Sequence, residues 1–389
     1  MSSRPAMFDA LVVGAGPAGA TVARLLAASG WQVALVEASE FPRRKVCGEF
    51  ISAASLPVLE SCGVADRFIG MAGPQVRRVG VFAGRAMLHA RDHAFLGQAL
   101  GREHLDLMLR DAAVAMGARL RQPCELVSVI RDGRGFACTL LAGGQTMTER
   151  ARIVIAACGS WSAKGAFRQP RSHAPSDLLA FKANFTGGRL PDGLMPLLAF
   201  PGGYGGLVES DGGRLSLSCC IRRDVLEAAR ARHGGRAGEA VIAHIRATTQ
   251  GADAALDGAL PAGAVLAAGP IRPGIRPRYH QGIFFTGNSA GEAHPVIAEG
   301  ISMAIQGSAL LAATLIAAGR DGDLDAAGRR YAGAWRRRFS LRIHAAALFA
   351  AGAMHGPSRA ASLVLLRQWP GLISWGAGIS GKPPMARAA

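Results

Sequence analysis

The chain has 389 residues, of which half are hydrophobic and 18% are charged, and this balance excludes an intrinsically disordered protein. Its formal net charge of +17 favours an anionic partner. No Lys/Arg tract with interleaved aromatic residues occurs, so no nucleic-acid partner is predicted. The seven cysteines form no CxxC pair and no Cys/His ligand spacing, so no metal site is predicted either.

The cysteine count and the N-terminus favour a cytoplasmic protein. An odd number of cysteines without a disulfide pattern is typical of a reducing compartment. The first apolar run has the length of a strand and leads directly into glycines, unlike a signal peptide. No run of about 18 apolar residues occurs, which predicts no membrane span and at most a peripheral membrane contact.

The first predicted element is a buried strand, Ala10 to Val13. It runs into a GxGxxG turn at residues 14–19, which is followed by a helix from Thr21 to Ser29. A second strand, Gln32 to Val36, ends at Glu37. Strand, glycine turn, helix, strand and terminal acid occur here in the order of a dinucleotide-binding βαβ unit.

Each glycine of this turn is expected at its position for a physical reason. Gly14 permits the tight turn, Gly16 lets the backbone approach a pyrophosphate, and Gly19 lets the helix pack against the strand. The helix N-terminus then offers free N–H groups to the anion, and Glu37 is placed to accept ribose hydroxyls. The cofactor contacts predicted from this unit are Gly14, Gly16, Pro17, Ala18, Gly19, Glu37 and Ala38.

Three later segments favour FAD over NAD. The loop after the acid carries Arg44 and Lys45, which can reach phosphates, and Cys47-Gly48, which can bring backbone against a flavin ring; a solvated basic loop is the alternative. A strand from Ile153 to Ala156 runs into the small-residue turn Ala157-Cys158-Gly159. A third strand, Ile283 to Thr286, ends in Gly287-Asn288.

The chain thereby resembles the para-hydroxybenzoate-hydroxylase-fold flavoproteins, a group of aromatic hydroxylases, flavin-dependent halogenases and geranylgeranyl reductases. The resemblance is strongest at residues 8–50, 101–115, 151–165 and 282–306. It implies that the residue after Gly287 binds the ribityl chain; the family's usual Asp is Asn288 here. It also implies that the helix opened by Glu299-Gly300-Ile301 faces the flavin, and that Arg102 touches the ribityl or pyrophosphate region. The further cofactor contacts predicted are Arg102, Val127, Ala157, Gly159, Gly287, Asn288, Gly300 and Ile301.

The implied fold is α/β: a glutathione-reductase-like FAD-binding βαβ fold with an inserted antiparallel-sheet substrate domain and a helical C-terminal region. We assign the discontinuous FAD domain to residues 1–75, 95–170 and 275–345, and the substrate domain to 76–94 and 171–274. Residues 346–389 form the C-terminal region. Substrate contacts are predicted from Phe181, Phe200, Tyr204 and Pro295.

The C-terminal region combines arginines with apolar helices, predicted at Ala345 to Met354 and Ala361 to Leu366. Such a pattern suits a membrane-surface helix, an entrance for a lipophilic substrate, or simply a cover for the sheet of the FAD domain.

Three reactions compete within the resembling family. Hydroxylation of a hydrophobic aromatic or polyketide-derived molecule, through a flavin C4a-hydroperoxide, is favoured. Reduction of C=C bonds in a prenyl or other lipophilic substrate is the alternative, because Cys47-Gly48 is similar to the turn of the geranylgeranyl reductases. Halogenation is disfavoured, because the W-x-W-x-I-P motif is absent and Trp161 stands alone.

The catalytic candidates are Cys47, Glu49, His294 and Glu299, of which histidine exchanges protons near neutral pH. No second GxGxxG motif marks a nicotinamide domain, so NAD(P)H would bind transiently or a flavin reductase would supply electrons. The positive charge also suits an acidic carrier protein as a partner.

Overall fold

The structure is a computed structural model that describes residues 7–90, 95–133, 135–160, 167 and 173–379; Trp161 lies outside them. The strands are β1 (Phe8–Val13), β2 (Val33–Val36), β3 (Phe50–Ser52), β4 (Arg78–Ala83), β5 (Ala86–His89), β6 (Gly97–Ala99), β7 (Arg119–Arg121), β8 (Glu125–Asp132), β9 (Gly135–Ala142), β10 (Gln145–Ala156), β11 (Leu178–Thr186), β12 (Leu194–Phe200), β13 (Gly203–Ser210), β14 (Arg214–Arg222), β15 (Leu260–Pro261), β16 (Leu266–Ile271), β17 (Gly274–Ile275), β18 (Tyr279–His280), β19 (Ile283–Phe285) and β20 (Gly291–Glu292). The helices are α1 (Pro17–Ala28), α2 (Leu56–Ser61), α3 (Ala65–Met71), α4 (Arg102–Ala115), α5 (Arg223–His233), α6 (Ala237–Thr248), α7 (Gln250–Ala255), α8 (Gly300–Ala318), α9 (Leu324–Met354), α10 (Gly356–Gln368) and α11 (Gly371–Ile379).

A first, mainly parallel sheet is built around β1. Its parallel order is β19-β10-β1-β2-β7, and Ala10 of β1 pairs with Ile153 on one side and Val33 on the other. Its strands are almost continuously apolar because both faces are covered. Helices α1, α8 and α9 cover one face, and an antiparallel ribbon of β8, β9 and the first half of β10 covers the other.

Helix α8 is the apolar centre of this layer. By length and composition it is apolar enough to cross a membrane, contrary to the expectation from sequence, and it is the one such helix among the described residues. Most of its apolar window, 61%, is buried, and it packs against α1 and α9. A helix that is apolar on all sides is what a core position requires.

A second sheet of eight strands is mainly antiparallel. Its order is β15-β11-β14-β13-β12-β4-β5, with β16 beside β11, and β12 pairs with β4 in parallel. One face packs against α5, α6 and α7 through Leu226, Val241 and Ile245. The opposite face, which carries Ala180 and Tyr204, packs toward the first sheet and its helices. The fold class expected from the sequence is therefore confirmed.

The C-terminal helices serve both sheets. The predicted boundary at residues 345/346 falls inside the continuous helix α9. Trp335 and Phe339, in the first half of α9, join the core around the first sheet. Ile373 and Ala377 of α11 instead pack with Met195 of the second sheet, so this region does more than cover the FAD domain.

Candidate functional site

Three turns that are far apart in the sequence meet at one edge of the first sheet. They follow β1, β10 and β19, which are parallel neighbours, so their carboxyl ends share that edge. A Cβ atom on Gly14 would lie 2.6 Å from the carbonyl oxygen of Ala157, and one on Gly287 would lie 2.8 Å from the Cβ of Ala18. Both glycines also have positive φ angles, +102° and +60°, so glycine is required at both turns.

Helix α1 begins inside this junction. A Cβ atom on Gly19 would fall 1.8 Å from the carbonyl oxygen of Gly14, so only glycine lets the helix start this close to the turn. Gly16 precedes the helix and provides no side-chain cap, which leaves the first N–H groups for an anion. Helix α8 begins at Gly300 on the same cavity, so a second positive helix end faces it.

A cavity of about 560 Å³ extends from this junction to the inner face of the second sheet. It brings together most of the residues predicted from sequence. The predicted residues that line it are Gly14, Gly16, Pro17, Ala18, Glu37, Ala38, Lys45, Cys47, Gly48, Glu49, Arg102, Ala157, Gly159, Phe181, Tyr204, Gly287, Asn288, Pro295, Gly300 and Ile301.

Three predicted cofactor contacts lie outside the cavity: Gly19, which packs against Gly14 behind the turn, Arg44 and Val127. The side chain of Arg44 points toward Gly263, and the neighbouring Arg43 lines the cavity instead. Val127 is 42% exposed, because side chains alternate along β8 and Leu126 takes the inward position. For Arg44 and Val127 the residue that lines the cavity is the preceding one in the sequence, because motif spacing alone does not define which side chain turns inward.

Two other predicted residues are buried elsewhere. Phe200 lies in the core between the second sheet and its helices, edge-to-face with His244 at 5.9 Å, and contacts no part of the cavity. Glu299 is fully buried behind the start of α8, where its Oε2 accepts a hydrogen bond from Ser52 Oγ at 3.2 Å. Glu299 therefore ties β3 to α8 rather than facing a substrate.

One end of the cavity is cationic. Arg43, Lys45 and Arg102 all line it near the glycine turn. Burial opposes the charge of Arg102, but the carboxylate of Asp106, with hydrogen bonds of 2.6 and 2.7 Å, raises the pKa of the guanidinium. Burial, reinforced by Arg43 and Arg102, lowers the pKa of Lys45. These basic side chains, the glycine cradle and the N-terminus of α1 form a donor set that fits the pyrophosphate of FAD.

Glu37 is more constrained than the sequence suggested. Its carboxylate accepts hydrogen bonds from the backbone N–H groups of Ala15 and Ser39, both at 2.9 Å, and an ion pair from Arg43 at 3.0 Å. A ribose hydroxyl bound here would share the carboxylate with Arg43. Sequence reasoning missed this arginine, although it stands next to the one that was chosen.

A buried network surrounds Asn288, the residue that departs from the family pattern. Its Nδ2 donates to Ser160 Oγ at 2.7 Å and to Glu292 Oε1 at 3.3 Å. Arg276 donates to Glu292 Oε2 at 3.2 Å and to the Asn288 carbonyl at 2.6 Å. Burial raises the pKa of Glu292. An amide fits position 288 because a carboxylate there would face that of Glu292.

Tyr204 and His294 join the two domains at the cavity wall. The Tyr204 hydroxyl lies 3.0 Å from His294 Nδ1. Burial, together with Cys220 and Glu292, raises the pKa of Tyr204 well above its usual value, and burial lowers the pKa of His294. The phenol therefore stays protonated beside a neutral imidazole. In the tautomer that carries a proton on Nδ1, His294 donates to the phenol oxygen and leaves the O–H of Tyr204 to donate elsewhere. His294 itself does not line the cavity, and reaches it through Tyr204.

Glu49 forms a buried ion pair that sequence reasoning missed. Its Oε2 lies 2.7 Å from Nζ of Lys182, and both side chains are at most 2% exposed. Lys182 also donates to Ser216, and its pKa is lowered by burial while Glu49 favours its charge. The signal was a single lysine in the apolar strand β11, since a buried lysine needs a partner. Cys47, the fourth catalytic candidate, lines the cavity two residues earlier.

The network around Asn288 yields a prediction on cofactor affinity. We expect Asn288→Asp to raise the Kd for FAD about tenfold at neutral pH, because a second carboxylate would face Glu292. The loss should shrink as the pH falls and one of the two carboxyls is protonated. Fluorescence titration of the apoprotein measures the Kd. Asn288→Asp combined with Glu292→Gln should restore it, and failure of this rescue would refute the like-charge explanation.

The Glu49–Lys182 pair yields a prediction on stability. Lys182→Met leaves the Glu49 carboxylate buried without its cation, which we expect to lower the free energy of unfolding by about 3–5 kcal/mol. Glu49→Gln added to Lys182→Met removes the orphaned charge and should recover most of the loss. Denaturant unfolding of the unmodified protein, Lys182→Met, Glu49→Gln and the double variant completes the double-mutant cycle. Equal losses in the single and the double variant would assign the effect to packing instead.

Comparison with known proteins places this geometry in a family. A model of FAD-binding domains matches residues 7–185. The chain is 25% identical to conditioned medium factor receptor 1 of Dictyostelium discoideum, over 97% of this chain and 78% of that protein. It is 27% identical to a menaquinone reductase of Mycolicibacterium smegmatis, over 38% of this chain and 37% of the relative. It is 31% identical to a rifampicin monooxygenase of Streptomyces venezuelae, over 40% of this chain and 33% of the relative. The last two matches thus span little more than a third of those proteins.

Solved structures share the whole fold. The flavin-dependent brominase Bmp2 superposes with a TM-score of 0.79 at 18% identity, over 98% of this chain and 95% of that chain. PqsL of Pseudomonas aeruginosa superposes with a TM-score of 0.74 at 18% identity, over 92% and 99%. A geranylgeranyl bacteriochlorophyll reductase-like protein of Thermoplasma acidophilum superposes with 0.67 at 20% identity, over 88% and 86%. At such identities the likeness establishes the fold, and the family match adds the cofactor. The chain therefore carries an FAD-binding domain in residues 7–185 and has the overall fold of the flavin-dependent brominase Bmp2 and of PqsL.

Proposed function

We propose that the protein is a monooxygenase that hydroxylates a hydrophobic, aromatic or polyketide-derived small molecule. The observation that carries this proposal is the apolar end of the cavity. Its wall there includes Phe181, Met195, Leu197 and Leu207. An apolar pocket with a few placed polar groups selects a substrate of that character.

The carboxylates of the cavity support an apolar substrate. Glu49 is paired with Lys182, and Glu292 is paired with Arg276. Neither presents a free charge to a cationic ligand. The polar groups at the second-sheet wall include the Ser218 hydroxyl and the Tyr204 hydroxyl, of which the latter is held by His294.

Bound FAD would supply the electron-transfer chemistry of the reaction, while the protein supplies binding, orientation and a proton. In the overall reaction NAD(P)H provides two electrons, one atom of O₂ enters the substrate and the other leaves as water. The Tyr204 hydroxyl orients a polar group of the substrate or donates a proton to it, and His294 fixes the direction of that hydroxyl. The apolar wall keeps bulk water away from the reacting atoms.

We propose NAD(P)H as a transient electron donor. The described residues contain one glycine-turn βαβ unit, whose turn lines the cavity that fits FAD. A flavin reductase that delivers reduced cofactor is the other source, and an acidic carrier protein would match the net charge of +17. We further propose a cytoplasmic location.

A second candidate is reduction of a C=C bond in a prenyl or other lipophilic substrate. It is favoured by the position of Cys47 and Gly48 on the cavity wall, since this turn is similar to that of the geranylgeranyl reductases. Menaquinone reductases and a digeranylgeranylglycerophospholipid reductase of Picrophilus torridus are among the relatives. In this reaction the hydride equivalent of NAD(P)H, two electrons with one proton, and a second proton from the protein or solvent enter the substrate, and O₂ is not consumed.

Product mass after turnover with ¹⁸O₂ tests the proposal. The FAD-loaded protein is given NADH or NADPH, with and without a flavin reductase, and a panel of phenols, polycyclic quinones and prenylated quinones. We expect one labelled oxygen atom in the product and no turnover without O₂. Anaerobic formation of a product with two additional hydrogens would overturn hydroxylation in favour of the second candidate.

Tyr204→Phe tests the hydroxyl at the wall. We expect kcat to fall by about 100-fold, since removal of a positioned proton donor costs that much, while the substrate Kd changes little. Tyr279→Phe is the matched control, because the Tyr279 hydroxyl bonds to Asp325 away from the cavity. Equal kcat in the two variants would show that the Tyr204 hydroxyl takes no part in turnover.

A further inference from the structure

The C-terminal segment is free of acidic residues. All 27 aspartates and glutamates of the chain lie at or before Asp325. The described residues beyond it carry eight arginines: Arg329, Arg330, Arg336, Arg337, Arg338, Arg342, Arg359 and Arg367. Beyond Asp325, helices α9, α10 and α11 therefore carry positive charge without any acidic residue of their own, unlike the paired charges of the cavity.

The same helices expose large apolar side chains. The exposed set is Leu341, Leu348, Phe349, Val364, Leu365, Trp369, Leu372 and Trp375. Trp369 and Trp375 are 57% and 63% exposed, whereas Trp31 and Trp335 are buried. Clustered exposed hydrophobic residues on one part of a surface mark an interaction site.

The two properties share one face of α9. Arg337, Leu341, His344 and Leu348 follow one another at intervals of three or four residues and are all exposed. The face is thus basic toward the start of α9 and apolar toward its end. Trp369, at the end of α10, extends the apolar part toward α11.

This surface is linked to the apolar end of the cavity by one hydrophobic cluster. Ile373 and Ala377, on the buried side of α11, belong to the same cluster as Met195. Met195 also lines the cavity, so the cluster beneath α11 reaches the cavity wall. An apolar compound leaving a membrane at this surface would enter the protein close to where the cavity accepts it.

We propose that α9–α11 dock the protein on the surface of a membrane rich in anionic lipid. Arginines beside exposed leucines and tryptophans are the composition of an interfacial helix, with tryptophan at the boundary between acyl chains and headgroups. A second copy of this chain would place the same acid-free arginine surface against itself, which electrostatic repulsion disfavours. An anionic lipid surface instead complements it, by about 1 kcal/mol for each basic residue near the surface.

Vesicle binding by the FAD-loaded 389-residue chain tests the proposal. We expect the protein to sediment with vesicles of phosphatidylcholine and phosphatidylglycerol, and much less with pure phosphatidylcholine. Tryptophan emission should shift to the blue on binding to the anionic vesicles. In a Trp161→Phe background the shift should be lost in Trp369→Phe combined with Trp375→Phe, because the two remaining tryptophans, Trp31 and Trp335, are already buried.

A matched pair of charge reversals locates the surface. Arg337→Glu with Arg367→Glu should weaken binding to the anionic vesicles by at least about tenfold. Arg230→Glu with Arg232→Glu, in the last turn of α5, makes the same change in net charge on another exposed helix and should leave most of the binding. Visible flavin absorbance and thermal unfolding confirm that both variants are folded.

Three outcomes would overturn the proposal. Equal binding to neutral and anionic vesicles would exclude an electrostatic surface, and equal losses in both pairs of reversals would exclude this location. Dimerisation or binding of an acidic protein, with no binding to vesicles, would assign the surface to a protein partner.

Discussion

The close approach of three backbone turns is the constraint on which the rest of the structure depends. Gly14 touches the Ala157 turn, Gly19 touches Gly14, and Gly287 touches Ala18, each at distances that no Cβ atom could share. This junction sets the start of α1 and fixes how far α1 stands from the sheet. Because β1, β10 and β19 are parallel, it also gathers segments nearly 300 residues apart in sequence at one edge. The glycines therefore define a position for the cofactor before any side chain contributes.

Side chains then connect this rigid edge to the second sheet. The polar contacts that cross from the FAD domain to that sheet include the ion pair between Glu49 and Lys182, the hydrogen bond between His294 and Tyr204, and the ion pair between Glu103 and Arg214. The Glu49–Lys182 pair is the most deeply buried of these, so it is strong only while its geometry is kept. The second sheet is thereby held at a defined distance above the cofactor edge. The apolar residues that face the cavity consequently form a wall for the substrate, while the opposite face keeps its own core with α5, α6 and α7.

The backbone-determined part of this site could be predicted from the sequence, and the part determined by side-chain direction could not. Gly14, Gly16, Gly287 and Gly300 line the cavity as expected, since motif spacing reports where a chain must turn. Arg44 and Val127 point elsewhere because a shift of one residue reverses the direction of a side chain. The fold class followed from the order of strands and turns for the same reason. The partner of Glu49 is Lys182, 133 residues away, and no local pattern could identify such a pair.

Position 288 shows how a departure from a family pattern can preserve its electrostatics. The resembling flavoproteins carry a carboxylate after the glycine of the third turn, whereas this chain has an amide there. Here the amide donates a hydrogen bond to Glu292, four residues later, whose carboxylate is also held by Ser160 and Arg276. The carboxylate is thus displaced within the site rather than lost. Two carboxylates at these positions would repel each other in a buried environment, so one of the two must be neutral. The amide at 288 and the acid at 292 therefore act as a single unit. A comparison of position 288 alone would misinterpret this unit as a weakened motif.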